Sequence, residues 1–78
     1  MKREIREMAR FNAADEAGRQ YTVVEYQIFT GIAGVDGTMR WAGGTKDLRL
    51  RDGTDLNFVD ENTFEIVQTG KIIRRERV

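Results

Sequence analysis

Residues 46–73 read KDLRLRDGTDLNFVDENTFEIVQTGKII, and here short apolar runs are cut at regular intervals by turn residues. Leu48 and Leu50 alternate with Asp47, Arg49 and Arg51, the period of a strand with one buried face. Asp52-Gly53 follows and reads as a two-residue type I′ turn, which needs positive φ that glycine reaches without steric cost. In the next strand, 55–59, Leu56 and Phe58 share a side. Glu61-Asn62 turns the chain, residues 63–68 present Phe64 and Ile66, and Thr69-Gly70 turns it again into a strand beginning at Ile72 and Ile73. Turns about eight or nine residues apart leave no room for a helical crossover, so consecutive strands are antiparallel neighbours.

Working outward, residues 20–30 read QYTVVEYQIFT, rich in β-branched and aromatic residues, and predict a long strand with a bend. Residues 6–12 are expected to pair with it through the polar loop 14–19, with Ala9 and Phe11 inward. A helix over 3–17 is the rival, because Arg, Glu, Met and Ala favour helices and Gly18 would cap one. Phe11 nevertheless falls off the stripe made by Ile5, Met8 and Ala9, which favours the strand. Residues 31–45, GIAGVDGTMRWAGGT, hold five of the eight glycines and are expected to form an irregular glycine-rich loop. The expectation is one all-β domain over residues 1–78, an antiparallel meander closing as an SH3-like barrel or roll of five or six strands. Its core would centre on Leu50, Phe58, Phe64 and Ile66, with basic, frayed termini.

Composition narrows the chemistry. With 78 residues the chain can build only one core, burying about 60–65% of the surface exposed when unfolded. It has no cysteine, histidine, serine or proline. The nucleophile-and-base pairs of acyl transfer are therefore missing, as are the usual ligands of zinc, haem and iron–sulfur clusters. Carboxylate chemistry and oxygen-ligated cations remain, and the expectation is a non-enzyme without cofactor. The basic start is not followed by an apolar run, which predicts a cytoplasmic protein without a membrane segment.

Thirteen basic and thirteen acidic residues cancel, but unevenly along the chain. Residues 1–10 carry +2, residues 52–70 carry −5 without a single base, and residues 71–78 carry +3. Basic end strands beside an acidic hairpin would offset one another.

The remaining motifs are candidates for recognition. Residues 31–38, GIAGVDGT, lack the lysine of a phosphate-binding loop, and Asp36 would repel phosphate. Asp52, Asp55, Asp60 and Glu61 do not follow the spacing of a calcium loop, and Asp52 and Asp60 are expected to bond their own turns. Arg40-Trp41, with Arg49 and Arg51 and the terminal Arg74, Arg75 and Arg77, combines positive charge with an aromatic side chain, as single-stranded nucleic-acid binders do. Against this stands a Trp41 folded back as a lid over an open barrel end. Val59 and Val67 point away from the core and are expected to lie beside one another across the hairpin, marking an association surface.

The pattern from Leu48 to Arg74, L-R-L-x-D-G, then L-N-x-x-D, then T-F-E-I-V-x-T-G and a basic end, resembles small bacterial all-β proteins with a "DG…vN…D…tFEIV.TG" signature. Phe11, Gly18 and the stretch from Tyr21 to Tyr26 extend the likeness to most of the chain. The resemblance implies a fold and brings no activity. The functional expectation is a non-catalytic interaction module binding protein, itself included, through Arg40, Trp41, Arg49, Arg51, Val59 and Val67. The alternative is a single-stranded nucleic-acid-binding barrel, and a carboxylate-based enzyme is the minor reading.

Overall fold

The computed structural model describes residues 1–76. It is all-β: β1 (Lys2–Ala14), β2 (Gln20–Ala33), β3 (Met39–Leu50), β4 (Leu56–Asp60), β5 (Thr63–Ile66) and β6 (Ile72–Arg75). All pairings are antiparallel, in the order β3-β2-β1-β6-β5-β4. Two three-stranded meanders are thus joined where β1 meets β6, at Ala13↔Arg75 and Ala14↔Arg74. The sheet curls into a nearly closed barrel whose seam lies between β3 and β4, bridged only at Arg49↔Asp55.

Alternation within the strands supplies the interior. Ala13, Val23, Leu50, Leu56, Phe64, Ile66 and Ile73 form the buried cluster, with Phe11, Tyr21 and Leu48 packed at its margin. Phe64 sits at the centre, its ring centroid 5.5 Å from that of Phe11 and 6.5 Å from that of Phe58. Phe58 corrects the expected core. It pairs directly with Phe64 and so faces the same side, yet it is 65% exposed. β4 is an edge strand at the seam, and with only one bridge to β3 there is no next strand to cover the ring.

Three connections share one design, which the sequence reading missed. Across each of the three-residue loops between Asp15 and Arg19, Gly34 and Thr38, and Leu50 and Thr54, the first residue's amide donates to the last residue's carbonyl and the loop glycine's amide donates to the first residue's carbonyl. The last loop residue is a glycine at positive φ: Gly18 at 82°, Gly37 at 83° and Gly53 at 93°. This is the type I turn followed by a left-handed residue that commonly closes three-residue hairpins. Asp52 has no positive φ, so the expected type I′ turn is not formed, although Gly53 and Gly70 (73°) adopt the expected positive φ. Asn62 likewise turns the chain without entering the left-handed region.

The second correction is larger. Residues 31–45 are not an irregular loop: Gly31–Ala33 complete β2, Met39–Thr45 open β3, and only the turn at Gly34–Thr38 separates them. With the first half of β1, which rules out the rival helix, these residues form a three-stranded arm that leaves the barrel. The molecule consequently measures 56 × 27 × 21 Å. Its radius of gyration is 15.8 Å, whereas a compact domain of this length would have about 11.5 Å. The N-terminal basic residues are strand from Lys2 onward, while Arg77 lies outside the described residues.

Candidate association surface

Strand alternation assigns each arm side chain to a face. The inner face, continuous with the barrel interior, carries Glu4 and Arg6 of β1, Gln27, Phe29 and Gly31 of β2, and Met39 and Trp41 of β3. The outer face carries Ile5, Tyr26, Ile28, Ile32 and Arg40. A β-bulge at Met8 keeps this assignment in phase with the barrel, and it also brings Glu7 and Arg10 to one face, where they pair at 2.8 Å.

On the inner face Trp41 lies across the strand from Gly31. A Cβ at Gly31 would come within 2.8 Å of the indole and of the Met39 tip, so the glycine is what lets the ring lie flat on the sheet. The Arg6 guanidinium stands 4.5 Å from the Phe29 ring centroid and 5.4 Å from that of Trp41, while Glu4 accepts its Nε–H at 2.8 Å. This arrangement orders an arginine over two aromatic rings. Trp41 is therefore neither a lid over the barrel nor buried: it remains 40% exposed, out on the arm.

The expected recognition residues are dispersed. Arg40 pairs with Ile32 and so lies on the opposite face from its neighbour Trp41. Arg49 lies on the outer face opposite Val24, its Nε 2.9 Å from Asp47 and 3.5 Å from Asp55, so its charge is already matched. Arg51 is exposed at the turn after β3. Val59 and Val67 are exposed, but they occupy opposite ends of the β4–β5 hairpin. Val67 adjoins Asp55 and Val59 falls at the bulge before Asp60, so they do not form the expected joint patch. Arg75 stacks 3.7 Å over Phe11 at the barrel margin.

The sequence reading does not single out Ile5, Arg6, Phe29 or Ile32 as recognition residues. The signal was present in the register: a long β1 paired with β2 throughout must carry Ile5 out beyond the core. A groove on the outer face, lined by Ile5, Tyr26, Ile28, Asp47 and Arg49, marks the base of this uncovered surface.

The carboxylates serve the turns. Asp52 accepts the Thr54 amide at 2.9 Å and Asp60 that of Asn62 at 2.8 Å, as expected, and Asp36 does the same for Thr38. Hydroxyl and amide donors of Thr38, Thr54 and Asn62 hold these three carboxyls below the ordinary carboxylate range. A general acid needs the opposite shift. The Asp15 carboxylate is enclosed, its side chain only 5% exposed. Burial would raise its pKa, but the Arg19 amide, the Tyr21 hydroxyl at 3.0 Å and Lys71 at 3.6 Å together lower it. It ties the β1–β2 turn to the β5–β6 connection.

No family model, curated protein or solved structure matches the chain.

Proposed function

We propose that the chain is a non-catalytic association module, an SH3-like roll that binds protein, its own copies included, through the three-stranded arm. One observation carries this reading. The arm is a single sheet layer with apolar side chains uncovered on both faces, Ile5 at 66% and Ile32 at 57% exposed on one, Met39 and Trp41 on the other. A sheet stabilises itself by packing a face against another layer, and here that layer is supplied neither by the barrel nor by another part of the described chain.

A photo-activated cross-linking residue at Ile5, the more exposed of the two arm isoleucines, tests the proposal against the same residue at Val67 on the barrel. Protein adducts in the source cell from the Ile5 position and not from Val67, copies of this chain included, support it. Adducts at neither position, or equally at both, refute it.

Stacking of Arg6 on Phe29 and Trp41 favours a second reading, a platform for single-stranded nucleic acid. Oligonucleotide affinity at low salt, falling steeply as salt rises and lost on Trp41→Ala, would support it over protein association.

A further inference from the structure

β1 presents a free edge. β6 occupies its outer side only from Ala13 onward, with the Glu76 amide reaching the Asn12 carbonyl, so Lys2–Phe11 pair with β2 on one side and with no described strand on the other. Charged residues at an edge ordinarily guard it against pairing. Their order on this edge does something different.

Residues 3–7 read Arg-Glu-Ile-Arg-Glu. Laid antiparallel against its own copy with Ile5 opposite Ile5, the segment places Arg3 opposite Glu7 and Glu4 opposite Arg6, and the two-fold axis repeats both pairs. An antiparallel pair about an axis perpendicular to the sheet keeps each residue on its own face, so only registers that pair a residue with its own copy at the centre are allowed. Centring on Arg3, Glu4, Arg6 or Glu7 sets like charges directly opposite on the axis, which is destabilising. Ile5 is the one centre within the segment that puts an apolar residue on the axis and opposite charges on either side.

The structure adds a second, independent fit. Ile5 pairs with Ile28 within the arm, on the outer face. The same register therefore lines up Ile28, Ile5 and the copy's Ile5 and Ile28 in one row across a continuous six-stranded sheet, covering the flank of the most exposed of these side chains. On the inner face, Arg6 and Glu4, already joined within each arm, would meet their copies to form a closed square of alternating charge. The bulge at Met8 ends the ladder, and β6 begins far enough along β1 to leave the segment clear.

We infer that the partner of the arm is a second copy of this chain, joined by antiparallel pairing of Arg3–Glu7 with the same residues about a two-fold axis at Ile5. This rests on the arm being an association element and names what it associates with.

Sedimentation velocity of the full chain over the micromolar to millimolar range should show a monomer–dimer equilibrium. Arg3→Glu and Glu7→Arg should each weaken it by about tenfold or more, since each sets two like-charged pairs across the axis, and the double swap should restore it. These side chains are exposed, and circular dichroism will confirm that the barrel stays folded in each variant. Because the chain has no cysteine, Ile5→Cys should give a disulfide-linked dimer on mild oxidation, while Ile32→Cys, far from the axis, should not. A monomer at every concentration, a dimer insensitive to the charge swaps, or equal cross-linking at both positions would overturn the inference. If the chain stays monomeric yet the photo-activated residue at Ile5 cross-links to a different protein, self-pairing fails and the association reading survives; if neither occurs, both fail.

Discussion

Phe64 and Phe58 offer a controlled comparison, because they are the same residue type, face the same side and are direct cross-strand partners. Phe64 is 1% exposed and touches both other core-side phenyl rings, so Phe64→Ala removes a fully buried ring and leaves a cavity beneath β1 and β6. Such truncations cost about 3–5 kcal/mol. Phe58 has roughly a third of its surface covered, so at about 25 cal/mol per Å² on a side chain of about 200 Å² its truncation should cost about 1.5–2 kcal/mol. A domain of this length is stabilised by about 4–12 kcal/mol in total, so the first variant should be close to unfolding and the second comfortably folded. Urea titration followed by far-ultraviolet circular dichroism measures both, whereas the fluorescence of Trp41, out on the arm, reports poorly on the barrel. Equal losses for the two variants, or a loss under about 1 kcal/mol for Phe64→Ala, would refute the assignment of the core.

Gly53→Val should destabilise by about 1–3 kcal/mol in the same titration, through backbone strain alone, because φ is +93° and open space surrounds the added Cβ. Gly31→Ala should lift the indole off the sheet and shift Trp41 emission to the red without changing the barrel's urea midpoint; an unchanged spectrum would count against the flat packing. Acidification should destabilise the protein, because Asp15, Asp36, Asp52 and Asp60 have folded pKa values below their unfolded ones. Their contribution is fully present above the unfolded value of about 3.9 and is lost as pH falls through the lower folded values. Asp15→Asn should flatten that acid-side slope, and a variant with the wild-type slope would remove Asp15 from the account.

The barrel was legible in the sequence and the arm was not. Leu50, Phe64 and Ile66 are buried as their alternation implies, and Gly53 and Gly70 turn the chain where the spacing requires. Phe58 was misjudged because alternation reports which side a residue faces, and only topology reports whether anything covers that side. Residues 31–45 were misjudged for a different reason: five glycines suggested looseness, whereas Gly31 and Gly43 are paired strand residues, opposite Trp41 and Phe29, and Gly37 closes a turn. The V-D-G-T of residues 35–38 repeats the R-D-G-T of 51–54, and that repeat, with the same hydrogen bonds, was the available signal. Val59 and Val67 failed as a pair because the bulge before Asp60 and the turn after Ile66 separate them along the hairpin.

The junction of β1 with β6 has a kinetic consequence. The hairpins β1–β2, β2–β3, β4–β5 and β5–β6 close over short loops, and such elements form in about 1–10 μs. Joining Ala13 to Arg75 instead closes a loop of some sixty residues, for which chain entropy alone charges roughly 3–4 kcal/mol on the logarithmic scaling with length. The two meanders should therefore assemble early and dock late, with the burial of Ala13 against Ile73 forming the rate-limiting step. Pulse-labelled hydrogen exchange would then protect amides within each meander, those of β2 among them, before the Glu76 amide that donates to the Asn12 carbonyl across the junction, and a longer loop in place of Arg51–Gly53 would slow folding only slightly while leaving the hairpin phases unchanged.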